Sequence, residues 1–298
     1  MITLRSYAKI NWTLDVLWRR EDGYHEIRTI LQTISLHDLL RISPLPDEIE
    51  IICSDDRVPC DQRNLVHRAA ALLRQAGGIK LGARIQIEKR IPVAAGLGGG
   101  SSNAAAALVG LARIWGLKLG RRKLLELAAQ LGSDVPFFLI GGTALAIGRG
   151  QEVYPLEETS CDMILLANPG LQLETSKVYA ALSLTEKKSG FIISFSLLAA
   201  GKIHELPLLA KNQLEEEVLA AHPEVAQLKR RLMELGACCA IMSGSGATVF
   251  GIFDNSEQIE RARAALAQSG IWCERARTIG RREYRASLLE GEAGIGCI

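Results

Sequence analysis

No Cys-x-x-Cys pair occurs in this sequence, no G-x-x-x-x-G-K-S/T loop, and no apolar run long enough to cross a bilayer. Each absence removes a class of protein. Seven cysteines, an odd number in a 298-residue chain, do not form the paired framework of a small secreted domain, and none has a histidine at metal-ligand spacing. They read as reduced thiols serving as small core hydrophobes in a cytoplasmic protein. Apolar runs are short, the stretch Phe191 to Ala200 being broken by serines, and Arg5 and Lys9 interrupt what a secretory leader would need, so neither membrane insertion nor export is expected. A formal net charge of +2 offers no electrostatic footprint for nucleic acid. H-R-D and D-F-G are missing too, which removes the protein-kinase signature, and the glycines do not fall into G-x-G-x-x-G spacing.

What the chain does have is the run Ile91-Pro92-Val93-Ala94-Ala95-Gly96-Leu97-Gly98-Gly99-Gly100-Ser101-Ser102-Asn103, which opens directly into four alanines. Upstream, Ala83, Ile85 and Ile87 alternate with Arg84, Gln86 and Glu88, the period of a half-buried strand; downstream, the alanine-rich segment to Leu111 favours a helix. Glycines between a strand and a helix allow positive φ and close approach of an anion, and the free N–H groups of a new helix favour negative charge there. Read alone, a tight turn before a core helix accounts for some of these glycines. It does not account for three consecutive glycines followed by Ser101, Ser102 and Asn103, donors where phosphates would lie.

Residues 2 to 18 alternate, with Ile10, Trp12, Leu14 and Val16 on one face and Lys9, Asn11, Thr13 and Asp15 on the other. Helices are expected over Asn64 to Ala76, with Asn64 as N-cap and Gly77 as the stop, and over Arg121 to Leu131, ended by Gly132. After a composition shift near Gly148-Arg149-Gly150, the pattern reads as a strand over Met163 to Ala167 and a helix capped by Thr175 through Leu182. Helices follow over Leu208 to Ala220 and Pro223 to Leu235, then a strand, a glycine loop, a strand over Thr248 to Phe253, a helix over Ser256 to Gln268 and a last strand. This order predicts an α+β sandwich, with domains 1–150 and 151–298 and a loose tail after Ala286.

The glycine run resembles the P-x-x-x-G-L-G-x-S-S motif of the GHMP kinases, which phosphorylate small-molecule hydroxyls. Ala8-Lys9-Ile10-Asn11, Gly23-Tyr24-His25-Glu26, Leu131-Gly132-Ser133-Asp134-Val135-Pro136, Gly141-Gly142-Thr143 and Met242-Ser243-Gly244-Ser245-Gly246 resemble further elements of that superfamily in the same order. The Tyr24-His25 element is similar to members whose substrate is a cytidine diphosphate conjugate, rather than to homoserine or mevalonate kinases. The resemblance implies a two-domain α+β fold with the active site in the cleft between domains, ATP with Mg²⁺, and a small-molecule substrate. A monomer or weak homodimer is expected.

The roles it implies fall on named residues. Asp134 is expected to be the general base, and Lys9 to hydrogen-bond Asp134 and the transferring phosphoryl group. Pro92, Val93, Ala94, Ala95, Gly96, Leu97, Gly98, Gly99, Gly100, Ser101 and Ser102 are expected to hold ATP, with Ser102 as a Mg²⁺ ligand and Gly244 to Gly246 as a second anion site. Asn11, Tyr24, His25 and Thr175 are expected at the second substrate, Tyr24 stacking on the base and His25 bonding its edge. By residue type alone, Asp134 reads first as an N-cap or turn aspartate, and Thr175 as a helix cap. Leu31 stands where relatives often carry an aromatic that helps to sandwich the base.

Overall fold

The computed structural model describes residues 1–182 and 210–288. The stretch Phe191 to Ala200, the first two residues of the helix expected from Leu208, and residues 289–298 of the expected tail lie outside these. The first sheet is built on a long antiparallel hairpin of β1 (Ile2–Arg19) and β2 (His25–Leu45). Strands β3 (Ile49–Cys53), β4 (Gly82–Glu88), β5 (Thr143–Gly148) and β6 (Glu152–Pro155) complete it in the order β3-β4-β2-β5-β6, with β1 on β2. All pairings are antiparallel except β3 with β4. A second, wholly antiparallel sheet has the order β10-β7-β9-β8, from β7 (Ile164–Asn168), β8 (Cys239–Met242), β9 (Val249–Ile252) and β10 (Trp272–Ala276). The chain passes between the sheets over 156–163, a little beyond the expected division at 150, which falls in the β5–β6 turn.

Helices cover each sheet. On the first lie α1 (Leu65–Gly77), α2 (Gly99–Ile114) and α3 (Arg121–Leu131), whose core cluster joins Leu4, Leu40 and Ile85 to Leu73, Leu108 and Leu127. Asn64 caps α1 as expected, its side chain accepting from Val66 N–H, but the left-handed stop is Gly78 (φ 61°) rather than Gly77. The alanines of α2 let it lie tight on the hairpin: a Cβ at Gly110 would stand 2.6 Å from Ile42 Cδ1. Among the described residues the second sheet carries α4 (Thr175–Ala180), α5 (Glu215–Ala221), α6 (Pro223–Glu234) and α7 (Ser256–Gln268), packed through Val178, Val218, Leu228 and Ile259. The helix expected from Leu208 begins only at Glu215, because Asn212 turns its amide onto the carbonyls of Met242 and Gly244. Finally α8 (Arg281–Ser287) returns to the first sheet, where Tyr284 fills the space left by Gly141.

A third cluster lies between the sheets: Ile10, Trp12, Ile30 and Ile34 from the hairpin meet Ile164, Leu166 and Phe250. Trp12 is fully buried, edge-on to Phe250. Because one side of β1 faces the helices and the other this seam, Lys9 and Asn11 are as buried as Ile10. Three register shifts, at Tyr7/Lys9, Asn11/Thr13 and Val16/Trp18, bend the strand around that seam. The cysteines depart from expectation: Cys239 is buried, but Cys60 and Cys238 are exposed. Their sites are a surface loop and the residue before β8, where no core forms around the sulfur.

Candidate active site

A cleft of about 1390 Å³ runs along the edge of this assembly. Its floor is the segment from β4 into α2. Gly98 (φ 70°) forms the N-cap of α2 and Gly96 (φ 75°) precedes it, with Ala94 (φ 53°) also left-handed. A side chain at Gly96 is impossible, since its Cβ would stand 2.1 Å from Ser243 O. The loop's carbonyls are tied back: Gly96 O accepts from Lys9 Nζ at 2.8 Å and Ser243 Oγ at 3.0 Å, Leu97 O from Lys9 N, and Ala95 O from Thr248 N. The first N–H groups of a 16-residue helix therefore face the cleft at its positive end.

Behind the loop stands a residue that the sequence reading misses. Asp38 is fully buried and accepts from Arg90 N at 2.7 Å, Ile91 N at 2.9 Å and Asn103 Nδ2 at 2.9 Å, while pairing with Lys89 Nζ. One carboxylate thus fixes both ends of the cradle. The signal is an acid among Leu36, Leu39 and Leu40, where burial without partners would be costly.

Lys9 and Asn11 project from β1 into the cleft. Lys9 Nζ donates to Asn11 Oδ1 at 2.6 Å, and Asn11 Nδ2 to Thr29 Oγ1 at 2.7 Å. Gly244 packs so closely on them that its Cβ would stand 2.9 Å from Lys9 Nζ. Burial lowers the Lys9 pKa below the ordinary lysine value, opposed by the carboxylate of Asp134. Asp134 follows α3 and Gly132 and lines the same cleft. The expected hydrogen bond between the pair is absent: Lys9 is already spent on Asn11 and Gly96, and Asp134 acts on it through space.

At the other end, Tyr24 is 52% exposed and His25 half-buried. The His25 ring lies 5.3 Å from that of Tyr179, tilted by 32°. Tyr179, also missed in the sequence, comes from α4; burial first and Asp134 second push its pKa up, so it stays protonated. His25 titrates below the ordinary histidine value through desolvation, aided by Arg19, and is neutral at pH 7. Leu31 does not form a wall here: it is 1% exposed and packs in the first core cluster.

Of the remaining expected residues, Pro92 to Gly96, Gly98 to Ser101, Gly244, Ser245 and Thr175 all line the cleft. Leu97, Ser102 and Gly246 do not. The Leu97 side chain is in the seam cluster, and the Ser102 hydroxyl is buried, accepting from Ser6 Oγ at 2.8 Å. Thr175 is the first residue of α4 rather than its cap, and its hydroxyl meets Ser245 Oγ at 2.9 Å.

Two family models match the chain: the GHMP kinase N-terminal domain over residues 64–142 and the GHMP kinase C-terminal domain over residues 194–271. The fold and cleft are those of an ATP-dependent small-molecule kinase of this class. A homoserine kinase from Cytophaga hutchinsonii shares the fold at a TM-score of 0.72 and 19% identity, over 94% of this chain and 95% of its own. More specific are two curated relatives named 4-diphosphocytidyl-2-C-methyl-D-erythritol kinase. The one from Pelotomaculum thermopropionicum is 44% identical over 90% of this chain and 93% of its own. The one from Bacillus cytotoxicus is 42% identical over 95% and 98%. A crystal structure of 4-(cytidine 5'-diphospho)-2C-methyl-D-erythritol kinase superposes with a TM-score of 0.79 at 35% identity, over 94% of this chain and all of that one. The chain belongs to the 4-diphosphocytidyl-2-C-methyl-D-erythritol kinase family of GHMP kinases.

Proposed function

We propose that the protein transfers the γ-phosphoryl group of ATP to the 2-hydroxyl of 4-diphosphocytidyl-2-C-methyl-D-erythritol, a step toward isoprenoid precursors. One observation carries this reading: a single cleft has an anion cradle at one end, an aromatic cluster at the other, and a lysine and a carboxylate between them. The triphosphate lies against the N-terminus of α2, within reach of Lys9. The cytosine lies among Tyr24, His25 and Tyr179, where neutral His25 offers one donor and one acceptor to the base edge. That leaves the polyol beside Asp134, which accepts the hydroxyl proton as the oxygen attacks phosphorus. Lys9 offsets charge on the transferring group, and because Asn11 and Gly96 already hold it, little reorganisation accompanies the reaction.

Mg²⁺ accompanies ATP in this reading, neutralising phosphate charge. Among the described residues no group of three His, Cys, Asp or Glu side chains could hold a metal ion; in this reading phosphate oxygens and water carry the Mg²⁺. Ser102, with its hydroxyl on Ser6, is not one of its ligands in this reading. We further infer a cytoplasmic enzyme, monomeric or weakly dimeric; among the described residues no helix is long and apolar enough to cross a membrane. The test is ATP turnover against the diphosphocytidyl compound, homoserine and mevalonate. Turnover of the first alone is the expected result, and preference for either of the others overturns the assignment.

A further inference from the structure

Arg149 belongs to none of the motifs above, yet it lines the cleft. It occupies the β5–β6 turn between two left-handed glycines, Gly148 (φ 71°) and Gly150 (φ 104°), and its N–H donates to Gln151 Oε1 at 2.8 Å. The turn abuts the reaction centre: a Cβ at Gly150 would stand 3.6 Å from Ser133 Cβ and 3.9 Å from Asp134 Oδ1. From there the Arg149 guanidinium reaches over the Tyr24 ring, its central carbon 4.7 Å from the centroid. It therefore stands between the aromatic end of the cleft and Asp134. It also covers one face of Tyr24, leaving the other for a ligand.

Its partners set it apart from two other arginines of the cleft. Arg57 and Arg63, also on the cleft, are each closed onto a carboxylate, Asp55 and Asp61. Among the described residues Arg149 has no ion pair and no side-chain hydrogen bond; its charge acts on the Asp22 carboxylate only through space, and its contact with Tyr24 uses a ring face and none of its five N–H donors. A planar guanidinium with a free edge matches two phosphate oxygens at once. In a conjugate whose base is held at Tyr24 and whose hydroxyl is held at Asp134, the group that spans the interval is the diphosphate.

We propose that Arg149 is a specificity-determining residue that binds the diphosphate of the second substrate while buttressing Tyr24, so that the enzyme takes charged nucleotide conjugates and rejects free polyols. This rests on the substrate reading above. The experiment is calorimetric titration with cytidine and with CDP, the nucleotide site being saturated with a non-hydrolysable ATP analogue, for the wild type, Arg149→Met and Arg149→Lys. Methionine keeps an apolar stem against Tyr24 without the charge.

The wild type should bind CDP more tightly than cytidine. In Arg149→Met, CDP affinity should fall roughly 10- to 100-fold, the scale of hydrogen bonds to a charged group, with cytidine affinity within about twofold of wild type. Lysine should recover part of the loss, and KM for the full conjugate should rise with little change in kcat. Equal losses for cytidine and CDP would reduce Arg149 to a prop for Tyr24, and unchanged CDP affinity would remove it from recognition; either overturns the proposal. A wild type that binds neither ligand overturns the substrate reading itself, a result distinct from both.

Discussion

The two ends of the cleft are built to opposite plans. At the phosphoryl end, Lys9 and Asn11 are 4% and 3% exposed, bonded to each other and to the glycine loop, and closed over by Gly244 and Ser243. At the recognition end, Tyr24 is 52% exposed, Thr175 is exposed at the start of a six-residue helix, and the Arg149 guanidinium rests on a ring face. Charge that must meet a transition state is most effective when it is already oriented in a dry site. A base that arrives from water needs an open surface, and its own burial completes the packing. Substitutions at the first end should therefore act on kcat or on the fold, and those at the second on the affinity of one ligand.

The largest effect should come from Asp134→Asn. Among the described residues the Asp134 side chain makes no hydrogen bond, so thermal stability and ATP affinity should stay close to wild type while kcat falls by on the order of 10²- to 10⁴-fold, the usual worth of a positioned general base. A variant that raised KM for the conjugate and spared kcat would move Asp134 to the recognition end and break the contrast. Next comes Gly98→Val. Its Cβ would stand 2.8 Å from Phe138 Cζ and 3.1 Å from Lys9 Cγ at φ 70°. Left-handed strain costs about 1–2 kcal/mol, and a loop that relieves it by leaving the anion-binding conformation should lose about 5- to 30-fold in ATP affinity in nucleotide titrations. Gly100→Ala is the control, since no atom lies within 4 Å of its Cβ. Equal losses in both variants would mean that the loop tolerates no side chain for reasons other than packing.

How much of this can be read from the chain alone follows from where each signal is local. The β4–loop–α2 unit is legible because strand period, glycine cluster and alanine helix are contiguous, and α7 is legible to the residue because Asn255 caps it and its stripe is clean. The 21-residue β2 is not, although it is the longest strand. It serves β1, β4 and β5 along different parts of its length, so its burial follows three neighbours rather than one alternation. In the site, Lys9, Asn11 and Asp134 announce themselves through motifs, whereas Asp38, Tyr179 and Arg149 matter only through partners far away in sequence. The place of Leu31 is hidden for the same reason: the register that sets it opposite Asn11, shaped by the hairpin's bulges, leaves it in the core.

At the recognition end, Tyr24→Ala should weaken the cytidine compound by about 1–3 kcal/mol, the scale of a base stacked on an aromatic ring. Tyr24→Phe should be nearly neutral, and ATP affinity should not move in either variant. Tyr179→Ala sharpens the comparison. If Tyr179 is the second wall that Leu31 does not provide, its loss should match that of Tyr24 in Kd for the cytidine compound. A Tyr179 variant with unchanged Kd would leave the base with one wall.

The smallest effect concerns pH. Desolvation, with help from Arg19, lowers the His25 pKa below its ordinary 6.5. The unfolded chain then binds more protons at His25 than the folded one. Its contribution to stability is accordingly complete above the ordinary value, and diminishes as pH falls toward the folded value. Binding should follow the same window. Above pH 6.5 the imidazole is neutral and offers cytosine both a donor and an acceptor; protonation removes the acceptor. Cytidine affinity, measured with the nucleotide site filled, should be flat from about pH 8 down to the ordinary histidine value and should decline only below it, in step with the ring signals of His25 in a proton NMR titration. His25→Asn keeps a donor and an acceptor but does not titrate, so its affinity should stay level throughout. A wild-type decline that began above the ordinary value, or one that persisted in His25→Asn, would assign the titration to another group and leave His25 a neighbour of Tyr179 with no part in reading the base.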